Sequence, residues 1–512
     1  MKKLIFISLL FFTTAFPQKY ELNGWFVDKN ASGSNNGTSW TNAWESFSAI
    51  NWGSLEPDDT LYISGGTDST VYNETLNISA SGTSGHQLVV TKGLSTGHNG
   101  KVVIEGDLTR DNCIKFSVEG DYVTLSYLNA QNSLSAVIEA NSGWAGSYGN
   151  YTFKTDHHIG IRIEHCNLYL TDGYGISLKG VDSYTGYHNY IHTVENTAAQ
   201  TDGYWVQACS NTVIDGDSII IRNTNTTPHC DGIQMNQDTS STIKNCYIEH
   251  TDSKTSNSQC IYLTEGFGNA VIYNNVTNMG TAASNAISVR QLTIGDYTSI
   301  TIYSNTVYGN SSNILSHGIW VTEFTGVPLI KNNILACFGV AGAGIVSSDY
   351  SGTDYNLQYN LLATRGTNIL TSDPLFTDRN AKDFTLQGGS PAIDAGATLG
   401  SPYNVDRLGI TRPIGTAYDI GTYEFYGNIV SVELDSFTDF EILNAYPNPF
   451  NPSTTIGYSV NKESVINIYN ILGDKIAKYD VTGSGKIIFD INSSGVYIVQ
   501  LNNKHLKIMG LK

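Results

Sequence analysis

The sequence is poor in charge and lacks helix-forming repeats. Asp, Glu, Lys and Arg together make up only 14% of its 512 residues. Long stretches rich in Ala, Glu, Lys and Leu at helical spacing are missing, which argues against a helical protein. Short runs of Ile, Val, Tyr and Thr, broken by Gly, Asn and Asp, occur along the whole chain and are typical of strands. The sequence therefore predicts an all-β protein.

Basic residues are also scarce. The 28 Lys and Arg residues stand against 46 Asp and Glu residues, which gives a formal net charge of −18 at pH 7. Nucleic-acid binding needs a basic face for the phosphates, so we expect no nucleic-acid partner. Binding of an acidic polymer would need a local basic patch or a bound cation that reverses the negative electrostatic potential of the protein at that place.

The seven cysteines do not have the pattern of a disulfide framework or a zinc site. Their number is odd, their spacing is wide, and no CxxC pattern occurs. We expect most of these side chains to be buried free thiols.

The first residues, "MKKLIFISLLFFTTAFPQ", predict a secretory signal peptide over residues 1–18. Two lysines precede an apolar run that is too short to span a bilayer, and small and turn-forming residues follow it. No later run approaches the ~18 apolar residues of a membrane span. We therefore expect an exported chain without a transmembrane helix.

The middle of the chain repeats every 25 to 30 residues. One set of short apolar segments places a polar or sulfur-containing residue at its fourth position: Cys166, His192, Asp217, Cys246, Asn275, Asn305, Asn333 and Asn360. A second set places a small residue at its second position: Gly175, Gly203, Gly232, Cys260, Ala286, Gly318 and Gly344. Each unit can bury its apolar face only against its neighbours, so this repeat predicts a right-handed parallel β-helix with an inward polar ladder.

The segment "PHCDGIQMNQD", residues 228–238, has the composition of a catalytic cluster but is one unit of the second set. Side chains alternate between the two faces of a strand, so one apolar pair in each unit should point inward. The pairs in three successive units are Ile233 and Met235, Ile261 and Leu263, and Ile287 and Val289.

Three segments outside the repeats resemble known families. The segment from "WFVDKNASGSNNGTSW" to "LEPDDTLYISGG" (25–66) resembles the opening of secreted bacterial proteins of the pectin-lyase-like β-helix superfamily. The segment from "DPLFTDRNAKDFTLQGGSPAIDAG" to "DRLGITRPIGTAYDIGTYEF" (373–425) resembles the closing segment of the same superfamily. That superfamily includes chondroitinase-B-like and alginate lyases. The tail, from "LNAYPNPFNPSTTIGYSV" to "GVYIVQL", resembles the C-terminal sorting domain of type IX secretion substrates. The resemblance implies the fold and export across the outer membrane, whereas the reaction depends on the site.

These features divide the chain into a signal peptide, a β-helix, a linker and a small C-terminal β-sandwich. The predicted boundaries are 1–18, 19–426, 427–440 and 441–512. We expect a monomer that meets a polysaccharide and the type IX secretion machinery.

The outward residues of the second set form two columns on one sheet. One column contains Ser177, Trp205, Gln234, Tyr262, Ser288, Trp320 and Val346, and the other Lys179, Gln207, Asn236, Thr264, Arg290, Thr322 and Ser348. Aromatic rings stack on sugar faces and amides bond sugar hydroxyls, so these columns predict an oligosaccharide groove. The predicted substrate-binding residues are Lys179, Trp205, Gln207, Gln234, Asn236 and Trp320. The alternative is a solvated sheet face without a ligand.

Asp202 and Asp231 occupy the same place in successive units, so their backbones should lie ~5 Å apart. Two carboxylates at that distance share a proton or bind a hard cation such as Ca²⁺. We therefore predict Asp202 and Asp231 as metal ligands, with Asp231 and the nearby His229 also as catalytic candidates. The alternative is that both aspartates cap Asp-Gly turns.

A second catalytic candidate consists of Tyr262, Arg290 and His317 on three consecutive units. Arg290 would hold a substrate carboxylate while Tyr262 or His317 accepts a proton. The alternative is an exposed Arg290 stacked on Tyr262.

The predicted activity is β-elimination on a uronate-containing polysaccharide. Chondroitinase-B-type lyases pair a Lys with an Arg, but Lys179 and Arg290 lie four coils and ~19 Å apart, too far for one site. A glycoside hydrolase of the polygalacturonase kind would need three aligned aspartates, and Gln259 and Asn285 stand beside Asp202 and Asp231 instead. A non-catalytic glycan-binding or adhesin-type surface protein is the remaining alternative.

Overall fold

The computed structural model describes residues 24–117, 120–142, 157–193, 201–222, 229–251, 258–279, 285–291, 296–309, 317–337, 342–426, 440–446, 453–470, 474–490, 495–501 and 504–510. The predicted signal peptide (1–18) lies outside these residues, as does nearly all of the predicted linker. The chain forms two compact units, one ending at Tyr426 and one starting at Gly427. None of the described helices is long and apolar enough to cross a membrane.

Three parallel sheets form the first unit, and most coils contribute a strand to each of them. Sheet 1 contains Gly24–Val27, Thr60–Ile63, Leu88–Lys92, Val123–Ser126, His158–Ile159, Arg162–Glu164, Val181–Asp182, Thr185–Tyr187, Ser210–Asp215, Thr239–Lys244, Phe267–Tyr273, Asp296–Tyr303, Leu329–Lys331 and Thr353–Asp354. Sheet 2 contains Ser69–Tyr72, Lys101–Glu105, Asn129–Gln131, Asn167–Leu170, Tyr190–Thr193, Ser218–Arg222, Tyr247–Thr251, Val276–Asn278, Thr306–Gly309, Ile334–Cys337 and Leu357–Tyr359. Sheet 3 contains Leu76–Ile78, Asn112–Phe116, Ala136–Asn141, Gly173–Lys179, Thr201–Gln207, Ile233–Asn236, Ile261–Thr264, Ile287–Arg290, His317–Thr322 and Ala343–Ser347. This arrangement confirms the predicted parallel β-helix.

The register of sheet 3 confirms the predicted inward residues. Ile233 pairs with Ile261 and Ile261 with Ile287, and Met235, Leu263 and Val289 form the parallel series. All six side chains are buried in one continuous core. The alternating apolar residues of the sequence therefore line the inside of the helix from coil to coil. The seven cysteines are also buried, and none is in a disulfide, as expected.

A ladder of polar side chains follows one inner corner of the helix. It contains Cys166, Asn189, Asp217, Cys246, Asn275, Asn305, Asn333 and Asn356. At a typical step, Asn333 Oδ1 accepts hydrogen bonds from the backbone N–H of Asn305 (2.9 Å) and from its side-chain amide (3.0 Å). The ladder therefore satisfies backbone groups that the turn would otherwise leave buried and unpaired.

Two predicted members of this ladder are wrong. His192 lies inside the strand Tyr190–Thr193, on its outer face, and Asn189 at the preceding corner takes the ladder position. Asn360 follows the strand Leu357–Tyr359 with a φ of 52°, and Asn356 at the preceding corner takes its place. In both cases the sequence repeat predicts the correct coil, but the observed ladder residue lies three or four positions earlier in the chain.

Both ends of the β-helix are covered by the chain itself. Two short 3-10 helices, Phe47–Ala49 and Trp52–Ser54, lie at the N-terminal end, where Trp44 and Phe47 join the core. At the other end, residues 361–426 extend across the outer face of sheet 2 and include the antiparallel strands Phe376–Asp378 and Asp383–Leu386. A fully buried ion pair between Arg412 and Glu424, 3.1 Å apart, fixes this cover.

The second unit is an antiparallel sheet with its own apolar core. Its strands are Phe440–Tyr446, Ser453–Asn470, Lys475–Asp490, Gly495–Leu501 and Lys504–Gly510. Ile456, Ile466, Val499 and Ile508 are among its buried residues. The predicted all-β architecture, with a small antiparallel C-terminal unit, is confirmed.

Asp217 is the one carboxylate in the described ladder. It accepts hydrogen bonds from the backbone N–H of Asn189 and from the hydroxyl of Tyr204, and it is fully buried. Burial raises the pKa of Asp217 to about 7, from an ordinary value of 3.8. A folded-state pKa above the unfolded-state value means that the folded state is favoured at acid pH and loses stability as pH rises through this window.

We expect Asp217→Asn to remove this pH dependence, because the amide is neutral and keeps an oxygen acceptor. The melting temperature of the variant minus that of the parent should be smallest near pH 4 and grow towards pH 8. The reciprocal change Asn275→Asp should destabilise increasingly over the same range. A constant difference between Asp217→Asn and the parent across this range would contradict the assignment.

Candidate functional site

The two predicted metal ligands lie on sheet 3, where its strands begin. The residue before the small residue of each unit forms a column: Tyr174, Asp202, Asp231, Gln259, Asn285 and His317. The Asp231 backbone N–H donates to Asp202 Oδ1 at 2.8 Å, and the Gln259 N–H donates to Asp231 Oδ1 at 2.6 Å. Successive coils therefore bring the two aspartates together, and both are fully buried.

One oxygen of Asp231 remains unused within this column. Asp231 Oδ2 is buried and accepts no hydrogen bond from the described residues, although His229 Nδ1 lies 3.2 Å away. Burial and the neighbouring charge of Asp202 raise the pKa of Asp231 well above its usual range. Burial lowers the pKa of His229, which favours the neutral imidazole.

Asp202, His229 and Asp231 can form a metal site. Each offers one ligand atom, and the three atoms lie within 4.8 Å of one another. The alternative role as turn caps involves the Oδ1 atoms, whereas a ligand would meet Oδ2 of Asp231. The two roles are therefore compatible, and the orphaned buried oxygen is the feature that a turn cap alone does not explain.

Aromatic side chains flank the carboxylates on both sides. The ring of His229 lies 5.8 Å from that of Tyr262, and Trp205 stacks on Tyr174 at 5.4 Å. We had not predicted Tyr174, although it precedes Gly175 as Asp202 precedes Gly203. The same sequence signal that aligned the aspartates would have found it.

The predicted trio of Tyr262, Arg290 and His317 is not one cluster. The register pairs Tyr262 with Ser288 and Thr264 with Arg290, and the Tyr262 ring faces His229. The proposed stacking of Arg290 on Tyr262 is also wrong, because the Arg290 guanidinium lies 4.5 Å from the ring centre of Trp320.

His317 belongs with Arg290 rather than with the carboxylates. Its ring stacks on Trp320 at 5.3 Å, and its Nδ1 lies 2.7 Å from Asn285 Oδ1. His317 is three strands from Asp231, or ~14 Å, and Arg290 is two strands and five residues away, or ~19 Å. The described residues thus form two separate groups, one around the aspartates and one around Trp320.

The two outward columns exist, but their amides are not exposed. Trp205 pairs with Gln234 and Gln234 with Tyr262, while Asn236 lies between Gln207 and Thr264. Gln207, Gln234 and Asn236 are only 8%, 7% and 3% exposed. These three amides therefore belong to the outward columns but are buried.

The aromatic and cationic side chains of the columns retain access to solvent, as do Thr322 and Val346. Lys179, Trp205, Tyr262, Arg290 and Trp320 are each partly exposed. Lys179 and Arg290 are separated by four strands in the observed register, as the repeat predicted. They cannot act on one sugar unit.

Comparisons with known proteins relate the two units to different groups. Residues 444–510 match the family model described as a secretion system C-terminal sorting domain. No curated protein matches the chain. The structure of pectate lyase Pel9A is 15% identical, with a TM-score of 0.54, and the match covers 78% of this chain and 96% of that one.

Two other solved structures match less extensively. A mannuronic acid specific polysaccharide family 6 lyase from human gut microbiota is 13% identical, with a TM-score of 0.37, covering 62% of this chain and 79% of that one. An alginate lyase from Paenibacillus sp. str. FPU-7 is 11% identical, with a TM-score of 0.30, covering 49% of this chain and 95% of that one. The comparisons show a β-helix similar in fold to pectate lyase Pel9A and a C-terminal segment that matches a sorting domain, which indicates export.

Proposed function

We propose that this exported protein cleaves a uronate-containing polysaccharide by β-elimination on the outer face of sheet 3. The observation that supports this most directly is the buried pair Asp202 and Asp231 beside His229, with Asp231 Oδ2 left without a hydrogen bond from the described residues. Aromatic side chains on both sides of the pair suit a sugar chain that lies across the strands.

The residues fit a divalent cation held by Asp202 and Asp231. Two buried carboxylates on adjacent coils repel one another unless a proton or a cation lies between them. Carboxylate oxygens are the ligands that Ca²⁺ prefers, and water or substrate oxygens would complete its coordination. Such a cation would neutralise the uronate carboxylate and so make the adjacent carbon-bound proton more acidic.

His229 is the side chain that we assign as the base. Its Nδ1 faces Asp231, which would orient the ring and leave Nε2 to accept the carbon-bound proton. As the proton leaves, a carbon–carbon double bond forms. The glycosidic oxygen departs with its electron pair and takes a proton from water. Tyr262 and Trp205 would position the sugar rings on either side.

Non-catalytic glycan binding is the second candidate function. It is favoured by the hydrogen bonds that both aspartates already make through Oδ1 to the next coil, since these give the carboxylates a structural role. The group of Arg290, His317 and Trp320 would bind sugar equally well without a reaction.

The cation assignment predicts a thermal shift. Ca²⁺ at about 100 times its dissociation constant should stabilise the parent by ~2.7 kcal/mol, because it binds the folded state alone. Asp231→Asn should abolish the shift, whereas Asp217→Asn, which changes a buried carboxylate inside the helix, should keep it. Equal shifts for the parent and Asp231→Asn would place the cation elsewhere.

The reaction predicts unsaturated products, measured by their ultraviolet absorbance, when the protein is incubated with a panel of uronans. Asp231→Asn and His229→Ala should each lower turnover by ~10²-fold or more, as for the loss of one charge-stabilising or proton-accepting group. New reducing ends without the absorbance would indicate hydrolysis, and binding without either product would favour the second candidate.

Arg290→Ala and Trp320→Ala are control variants for Asp231→Asn and His229→Ala, because they change the separate group around Trp320. Because this group is ~19 Å from Asp231, these changes should raise KM and leave kcat nearly unchanged. A collapse of kcat in Arg290→Ala would place the reaction at Trp320 instead.

We also propose that residues 1–18 direct the chain to the periplasm and that the C-terminal unit directs it through the type IX machinery. Removal of residues 443–512 should leave the β-helix folded but trapped in the periplasm, because the two units have separate cores. Cell fractionation measures this outcome. Normal surface delivery of the truncated chain would contradict it.

A further inference from the structure

A cavity of about 440 Å³ lies at the N-terminal end of sheet 3, outside the site described above. Ser48 and Trp52 of the two short 3-10 helices form one side. Glu74, Thr75, Asn77 and Ser79 form the other, with Asn77 on the strand Leu76–Ile78. The cavity therefore lies where the N-terminal cover meets the end strand of the sheet.

The register places this cavity on the same surface as the carboxylate site. Asn77 pairs with Lys115, Lys115 with Glu139, and Glu139 with Ser177. The column continues through Trp205 to Gln234. Five strand spacings separate Asn77 from Gln234, which is ~24 Å. One extended oligosaccharide lying across the strands could therefore reach both places.

The residues that line the cavity suit a sugar without a carboxylate. Trp52 is partly exposed and offers a ring face for stacking. Glu74 accepts a hydrogen bond from the Ser48 backbone N–H at 3.2 Å and is itself partly exposed. A carboxylate here can accept hydrogen bonds from sugar hydroxyls, but it repels the carboxylate of a uronate.

The cationic side chains along the surface are also widely spaced. Lys115 is 3.6 Å from Glu139, so its charge is already balanced. Among the described residues of the two outward columns, Lys179 and Arg290 are the other cations, and they lie ~19 Å apart. A polymer with a carboxylate on every sugar would meet too few opposite charges, whereas one with spaced carboxylates would match this pattern.

We propose that the cavity is a distal subsite for a neutral sugar unit, so that the substrate is a mixed polysaccharide in which neutral units separate the uronates. The inference rests on the proposed function, since it extends the same sugar chain along sheet 3. The subsite would bind a sugar unit that takes no part in the reaction.

Calorimetric titration with oligosaccharides of matched length tests the subsite. The probes are gellan oligosaccharides, in which neutral sugars separate the glucuronates, and oligogalacturonates, each in a long form and in a short form that cannot span ~24 Å. Trp52→Ala and Asn77→Ala should each weaken binding of the long gellan probe by about tenfold, the scale of losing one buried apolar contact for Trp52 and one hydrogen bond for Asn77. Neither variant should change binding of the short form.

Two further variants make the test specific. Glu74→Gln should raise the affinity for long oligogalacturonates, because it removes a like charge at the end of the surface. Tyr127→Ala removes a side chain that is 47% exposed at another corner of the helix and should change no affinity. Asn77 is exposed, so Asn77→Ala reports on the cavity even if Trp52→Ala does not fold.

The outcomes separate the subsite from the proposed function. If the parent produces unsaturated products but Asn77→Ala binds both long probes as the parent does, the subsite is wrong and the reaction stands. If oligogalacturonates bind more tightly than gellan probes and depend on Trp52 and Asn77, the neutral-sugar assignment is wrong. If the parent binds no oligosaccharide at all, the proposed function and the subsite both fail.

Discussion

The hydrogen bonding of each coil to the next is the constraint on which the rest of this structure depends. It holds like strands ~4.8 Å apart in fixed register, so residues that are 25 to 30 positions apart in the chain become neighbours. Inside the helix this stacks Ile on Ile and Asn on Asn. Outside, it brings Asp202 beside Asp231 and separates Lys179 from Arg290. The chemistry available to the surface is therefore decided by which residues share a column.

The polar residues of the helix illustrate two different uses of the same constraint. The asparagine ladder satisfies backbone groups at a buried corner, and each amide has both a donor and an acceptor for that purpose. Aspartates have no donor when ionised, so they fit a ladder less well. At the Asp217 position of the ladder, the second carboxylate oxygen accepts a hydrogen bond from the hydroxyl of Tyr204. Asp231 uses one oxygen in its column and leaves the other beside His229, and this difference marks it as a functional candidate.

Much of this arrangement could be predicted from the sequence. The repeat period specifies the coil and the column in which a residue lies, and the alternation of apolar residues specifies the face of the strand. They identified Ile233 and Met235 as core and Asp202 and Asp231 as neighbours. They could not specify the ladder position near His192, because coil length varies and Asn189 fits the same corner. They also could not specify burial on the outer face. Gln234 is buried although its column faces outward, and the ring on which Arg290 stacks depends on side-chain conformation.

We propose that Asp202, Asp231 and His229 form the catalytic site on the outer face of sheet 3. The most direct test is a crystal structure of the protein grown with Mn²⁺, a divalent cation with an anomalous signal that accepts oxygen and imidazole ligands. We expect one strong anomalous peak within bonding distance of the Asp202 and Asp231 carboxylates. A structure in which that position holds no cation would contradict it and leave the aspartates as turn caps.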